Sequence, residues 1–216
     1  MKNVDFNPDA TKLNSSQKEL INGSLLGDGS LAPRKNRKNA RFQILRKIQD
    51  IEYLKWEFSF LKDFCKPEIS TTSIRDKRTN KIYDRCSFST VANEQFTTIS
   101  KKWYVDGKKH VPKNLKLTPL CLGIWLLDDA NIRFTSSKKA MQLTFATHCF
   151  DKKEVEILAK KLQNKFGGYF GLYKNCNGYC ISCSTKPIIK ILKYISSAIP
   201  KDIMPRKTNF FLFINQ

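Results

Sequence analysis

What the chain lacks narrows it first. No apolar run approaches the roughly 20 residues of a membrane-spanning helix. The opening Met1-Lys2-Asn3-Val4-Asp5-Phe6 lacks the apolar stretch of a secretory signal. The seven cysteines are an odd number. Together these point to a reducing interior compartment and away from a disulfide scaffold. The two histidines, His110 and His148, are too few and too scattered to suggest a catalytic triad. Acids are scarce: 19 Asp plus Glu stand against 39 Lys plus Arg, a formal net charge of +20. Such a surplus repels itself in a compact state, and a polyanion relieves it. Nucleic acid is the leading partner, because phosphate neutralisation and counterion release give strong binding. A membrane surface would call for a basic amphipathic helix or a lipidation motif, and the sequence offers neither. Codon bias in an AT-rich genome accounts for part of the lysine and asparagine richness, but does not by itself deplete acids.

What is present suits a folded protein. With 216 residues and 41% hydrophobic content, the chain can bury a real core in one large domain or two small ones. Residues 1–13 read as an irregular lead-in. Asn14-Ser15-Ser16-Gln17 then offers N-cap choices for a helix through Leu20, Ile21, Leu25 and Leu26, ending at Gly27-Asp28-Gly29. A basic loop, 34–41, precedes a strand at Phe42–Leu45. A helix over 50–64, a hairpin from strands 69–75 and 82–90, and a helix over 93–104 follow. The order then starts again. Leu117-Thr118-Pro119 opens a helix with proline in its first turn, running to Asp128-Asp129. Strands at 131–135 and 141–147, a helix over 151–165, a hairpin turning at Asn177-Gly178 and a helix over 187–196 complete it. This is an internal duplication, with repeats at 14–110 and 111–216. Such a chain is expected to be a pseudo-two-fold object mimicking a symmetric dimer, and therefore monomeric.

The sharpest feature is the pair of acidic helix ends. Ile21-Asn22-Gly23-Ser24-Leu25-Leu26-Gly27-Asp28-Gly29 is echoed by Leu122-Gly123-Ile124-Trp125-Leu126-Leu127-Asp128-Asp129-Ala130, with Asp129 lying 101 residues after Asp28. Small residues early in both segments would let the two helices approach closely and bring their acidic ends together. A helix C-terminus already carries negative partial charge, so a carboxylate there is unfavourable and two would repel further. Divalent cations between them resolve the conflict. Mg²⁺ takes carboxylate and carbonyl oxygens, and such a centre can position an attacking water and stabilise a leaving phosphodiester oxygen.

These two windows resemble the motif of the single-chain LAGLIDADG homing endonucleases. Leu117-Thr118-Pro119, Trp125-Leu126-Leu127, Lys108-Lys109-His110-Val111-Pro112 and Ile199-Pro200 with Lys207 also match, so the resemblance covers about residues 13–207. The resemblance implies an α+β fold built from two αββαββα repeats. Each repeat would give a curved antiparallel sheet, the two forming a DNA-binding saddle with the motif helices packed at its centre. It implies Mg²⁺-dependent double-strand cleavage at a long target site, with Mn²⁺ or Ca²⁺ able to occupy the same place. It makes Asp28 and Asp129 the metal ligands and catalytic acids, with the carbonyls of Gly27 and Asp128 as helpers. Lys109 and Lys207 become basic residues near the centre, though each also reads as an ordinary surface lysine. One departure stands out: Ala130 replaces the usual glycine. If a left-handed stop were needed there, alanine would cost roughly 1 kcal/mol or more. The expectation is that the helix runs on slightly, with Asn131 taking over the stop.

Alternation along strands gives one core face and one open face. Phe42 and Ile44 suit the core, so Arg41 and Gln43 point outward, side chains matched to guanine and adenine edges. Arg34, Lys35, Arg37 and Lys38 suit phosphate, as do Arg75, Lys77, Arg78, Lys81 and Arg85 on the following hairpin. The second repeat offers Arg133, Lys138, Lys139, Gln142, His148, Tyr173, Lys174 and Asn175. Cys176, Cys180 and Cys183 with His148 lack the spacing of a zinc knuckle. Phe210-Phe211-Leu212-Phe213 reads as a tail docked over the core. Double-stranded DNA is the expected partner. A splicing cofactor for the chain's own intron RNA, or a DNA-binding protein with an impaired site, are the alternatives. The resemblance and the Lys/Asn richness point to an organelle.

Overall fold

The computed structural model describes residues 12–33, 38–65, 69–134, 141–175, 178–208 and 211. The chain divides into two compact units, 1–101 and 102–216.

The first unit opens with helix α1, Ser15–Leu26. The Asn14 side chain accepts from Gln17 N while the Gln17 side chain accepts from Asn14 N, a reciprocal cap that fixes where the helix starts. Strands β1 (Ser30–Pro33) and β2 (Ala40–Lys47), helix α2 (Ile51–Leu61), strands β3 (Ser70–Arg75) and β4 (Ile82–Ser89), and helix α3 (Glu94–Trp103) follow. The strands form one antiparallel sheet in the order β1-β2-β4-β3. Alternation along β2 buries Ala40, Phe42, Ile44 and Arg46 and leaves Arg41, Gln43, Leu45 and Lys47 on the other side. Helix α2 covers the buried face of β2 and β4, where Phe58 and Phe42 both meet Phe88.

The second unit begins with a short pair, β5 (Tyr104–Val105) and β6 (Lys108–Lys109). Helix α4 (Pro119–Asp129), strands β7 (Ala130–Phe134) and β8 (Met141–Ala146), helix α5 (Lys152–Phe166), strands β9 (Phe170–Asn175) and β10 (Gly178–Ser184), helix α6 (Thr185–Ile195) and helix α7 (Pro205–Thr208) complete it. Its antiparallel sheet has the order β7-β8-β10-β9, the same wiring as the first. Every residue of α4 from Leu120 to Leu127 is buried, as befits a helix apolar all round. Trp125 stacks on Phe145 with centroids 4.2 Å apart. A methyl on Gly123 would fall 2.4 Å from Ile199 Cγ1, so this glycine makes room for the segment after α6.

The α+β reading, the duplication and the order of elements stand as expected. Three elements escape the sequence pattern: β1, the β5–β6 pair and α7. The compact units part near residue 101. The reason is local bonding. His110 N donates to Trp103 O at 2.6 Å. Glu154 Oε1, at the start of α5, accepts from Val111 N at 2.7 Å and lies 3.1 Å from His110 Nδ1. Residues 102–111 are thereby tied to the second unit.

Candidate active site and nucleic-acid face

Helix α1 stops at Leu26, and the chain folds back at once: Gly27 N and Gly29 N both donate to Ser24 O, at 3.1 and 2.7 Å. A Cβ on Gly29 would lie 2.7 Å from Ser24 Cβ and 2.9 Å from Ser24 O. Close backbone approach therefore demands glycine here, and Gly29 has no positive φ. The turn lifts Asp28 out of the helix with its side chain 49% exposed. Its Oδ2 accepts from Arg46 Nη1 at 3.2 Å.

Arg46 is a charged residue on the core face of β2. Its Nε and Nη2 donate to the two carboxylate oxygens of Glu57, each at 2.7 Å, with the Arg46 side chain 3% and the Glu57 side chain 0% exposed. The Tyr53 ring lies 4.0 Å from its guanidinium carbon. A buried ion pair survives only when both charges are well satisfied, and paired hydrogen bonds with ring contact satisfy them. Asp28 is thus held by a guanidinium that is itself fixed in the core.

The second acidic end is built differently. Helix α4 continues through Asp128 and Asp129, and Ala130 is extended (φ −94, ψ 151), its N–H donating to Leu126 O. Neither Ala130 nor Asn131 has positive φ. The expected run-on and the Asn131 stop do not occur: the chain passes directly from helix into β7, and alanine carries no left-handed penalty. Lys207, from α7, places Nζ 2.6 Å from Leu127 O and 2.9 Å from Asp128 O, a cation on the negative end of the helix. Lys109 and Asp129 both act on the nearby Cys149 thiol. Desolvation raises that thiol most, Lys109 lowers it and Asp129 raises it. Lys207 therefore stands at the end of α4, and Lys109 shares with Asp129 the neighbourhood of Cys149.

Each acidic end offers a carboxylate beside backbone carbonyl oxygens, at Gly27 and Asp128, the hard donors that suit Mg²⁺.

The uncovered face of the first sheet carries Arg41, Gln43, Lys47 and Arg85, and Arg41 Nη2 lies 3.3 Å from Gln43 Oε1. Lys38 is exposed just before it, and Lys77, Arg78 and Lys81 are exposed in the β3–β4 turn. Arg75 pairs with Ile82 and so falls on the opposite face. In the second sheet Arg133, Gln142, Tyr173 and Asn175 share the uncovered face, while Lys174, paired with Tyr179, looks the other way. His148 Nε2 lies 2.8 Å from Asn175 Nδ2 and 3.1 Å from Cys180 Sγ. Desolvation pushes the Tyr173 hydroxyl up, against a lowering hydrogen bond with Thr144. Cys183 pairs with buried Leu143 and is on the core side, its thiol pushed up to about 12 by burial, so it cannot join Cys180 around one metal. Arg34, Lys35, Arg37, Lys138, Lys139 and Cys176 lie outside the described residues.

The model of the LAGLIDADG DNA endonuclease family matches residues 18–191. The chain belongs to that family. Among its relatives, cytochrome b mRNA maturase bI2 of Saccharomyces cerevisiae is 33% identical over 75% of this chain and 39% of the relative. Its namesake in Debaryomyces hansenii is 30% identical over 88% and 72%. DNA endonuclease I-ChuI of Chlamydomonas applanata is 31% identical over 61% and 65%. The chain thus spans well under half of the Saccharomyces relative. The solved structure of the homing endonuclease I-WcaI bound to its DNA recognition sequence shares the fold, with a TM-score of 0.84 over 94% of this chain and 90% of that one at 20% identity.

In this LAGLIDADG chain, sequence reasoning alone does not single out Arg46 and Glu57, although the signal exists. Arg46 falls in step with Phe42 and Ile44 on the buried stripe of β2. Glu57 sits one turn after Tyr53 on the buried stripe of α2. Two opposite charges on facing apolar stripes predict a buried pair.

Proposed function

We propose that this LAGLIDADG protein is a site-specific double-strand DNA endonuclease that hydrolyses phosphodiester bonds at a long target site with divalent metal. The observation that carries the proposal is the acidic helix end occurring at the same place in two identically wired units, each followed by a sheet with an open polar face. Bound Mg²⁺ would activate water and neutralise charge on the scissile phosphate, and Mn²⁺ or Ca²⁺ fit the same oxygen donors.

In this reading each acidic end binds divalent metal through its own donors, Asp28 with the Gly27 carbonyl and Asp129 with the Asp128 carbonyl. Arg46 anchors the Asp28 carboxylate through Oδ2. Lys109 and Lys207 set a positive field at the Asp129 end, where charge develops on the leaving group. The open sheet faces bind the duplex, with Arg41, Gln43, Arg133 and Gln142 at base edges and the surrounding lysines and arginines on phosphates.

The test is incubation with the uninterrupted host gene and Mg²⁺. Double-strand cutting is expected, and Asp28→Asn or Asp129→Asn should each abolish it. The relatives named as mRNA maturases favour a second reading, assistance of intron RNA splicing on the same scaffold. Stimulated splicing of the host intron without any DNA cutting would favour it. An organellar setting and action as a monomer belong to the proposal: the cytochrome b mRNA relatives support the first and the internal duplication the second.

A further inference from the structure

The open face of the first sheet is not uniformly polar. Leu45 is 47% exposed, Tyr83 42% and Ile74 42%. Strand register puts all three on the uncovered side. Leu45 pairs with Ser87 in one row; Lys47, Arg85 and Thr72 form the next; Tyr83 and Ile74 pair in the row after that. Exposed apolar groups therefore flank a basic row. Large exposed side chains in a strand cost solubility and invite edge pairing, so a partner that covers them is the economical explanation. The basic row between them fits a polyanion. A duplex offers one apolar group to a side chain entering its major groove, the thymine C5-methyl.

We infer that this face reads thymine methyl groups at two places in its half-site, one through Leu45 and one through Tyr83 with Ile74. The inference rests on the DNA-binding reading above and adds to it a base class. Tyr83 is four residues along β4 from Ser87, the partner of Leu45, which is roughly 13 Å or about four base steps. Lys47 and Arg85 lie between them to hold phosphates or guanines. The second unit does not repeat Leu45. Ser30 and Asn131 each follow the acidic residue by two, and their partners are Gln43 and Thr144, so the counterpart of Leu45 is Ala146. At this position two copies of one framework carry different side chains.

The experiment is selection of bound duplexes from a random double-stranded library by the full chain in metal-free buffer. The selected duplex is then resynthesised with deoxyuridine replacing each thymine in turn, which removes only the methyl. Two groups of thymines about four steps apart should each weaken binding roughly three- to fivefold when replaced, the worth of one buried methyl. Leu45→Asn should erase the sensitivity of one group and Tyr83→Ser that of the other. Because both side chains are exposed, the variants should keep the wild-type unfolding midpoint. A selected duplex indifferent to deoxyuridine, or sensitivity unchanged in both variants, overturns the inference while leaving DNA binding intact. The second result would assign the patch to a protein partner. A library from which nothing is enriched sinks both this inference and the DNA-binding reading.

Discussion

At the scale of single residues, Arg46 links core to chemistry. One guanidinium serves a buried carboxylate with two bonds and the motif acid Asp28 with a third. Removing it strands Glu57 without its cation, and a buried unpaired charge costs about 3–5 kcal/mol. Arg46→Met should therefore lower the unfolding free energy by that amount in urea titrations. Adding Glu57→Leu should recover most of the loss, since an apolar pair of similar volume tolerates the core. The recovered double variant should still cut poorly, because Asp28 has lost its anchor. Asp28 was legible from the sequence because its helix stop repeats at Asp129. Arg46 was less so, since one arginine among 39 basic residues is conspicuous only when its alternation with Phe42 and Ile44 is followed.

At the scale of elements, the two motif helices end by different means. The Gly27-Asp28-Gly29 turn folds back onto Ser24, and Gly29→Ala would drive a methyl into backbone that has little room to yield. Helix α4 instead runs straight into β7 through an extended Ala130, with Lys207 neutralising its end. The glycine usual in the motif has no task at 130. Ala130→Gly should thus bring no gain in thermal stability and should cost roughly 0.5–1 kcal/mol through chain entropy, whereas Gly29→Ala should be the more damaging exchange. Calorimetry of both variants checks the contrast. Local sequence flagged Ala130 as a departure but not the form the stop takes. The helix end is met by Lys207, some 80 residues away, which no local window contains.

At the scale of the molecule, charge and duplication were plain from the sequence, and with them the fold class. The tie between residues 110–111 and α5 was not, because it rests on Glu154, more than 40 residues further along the chain. The net charge of +20 makes affinity for any duplex salt-dependent. Non-specific binding, followed by fluorescence anisotropy, should fall on the order of a thousandfold between 50 and 200 mM salt if six or more phosphates are contacted. A flat response would mean that the basic residues are solvated rather than engaged.

The tie between Glu154 and residues 110–111 bears on anyone recombining halves of such proteins. A crossover placed between 110 and 111 would keep Val111 N on Glu154 but give Glu154 a foreign residue in place of His110. A crossover just ahead of Trp103 keeps the His110–Trp103 and His110–Glu154 contacts in one module, at the cost of a junction in the last turn of α3. Residues 103–111 are therefore best exchanged together with α5, whichever half donates them.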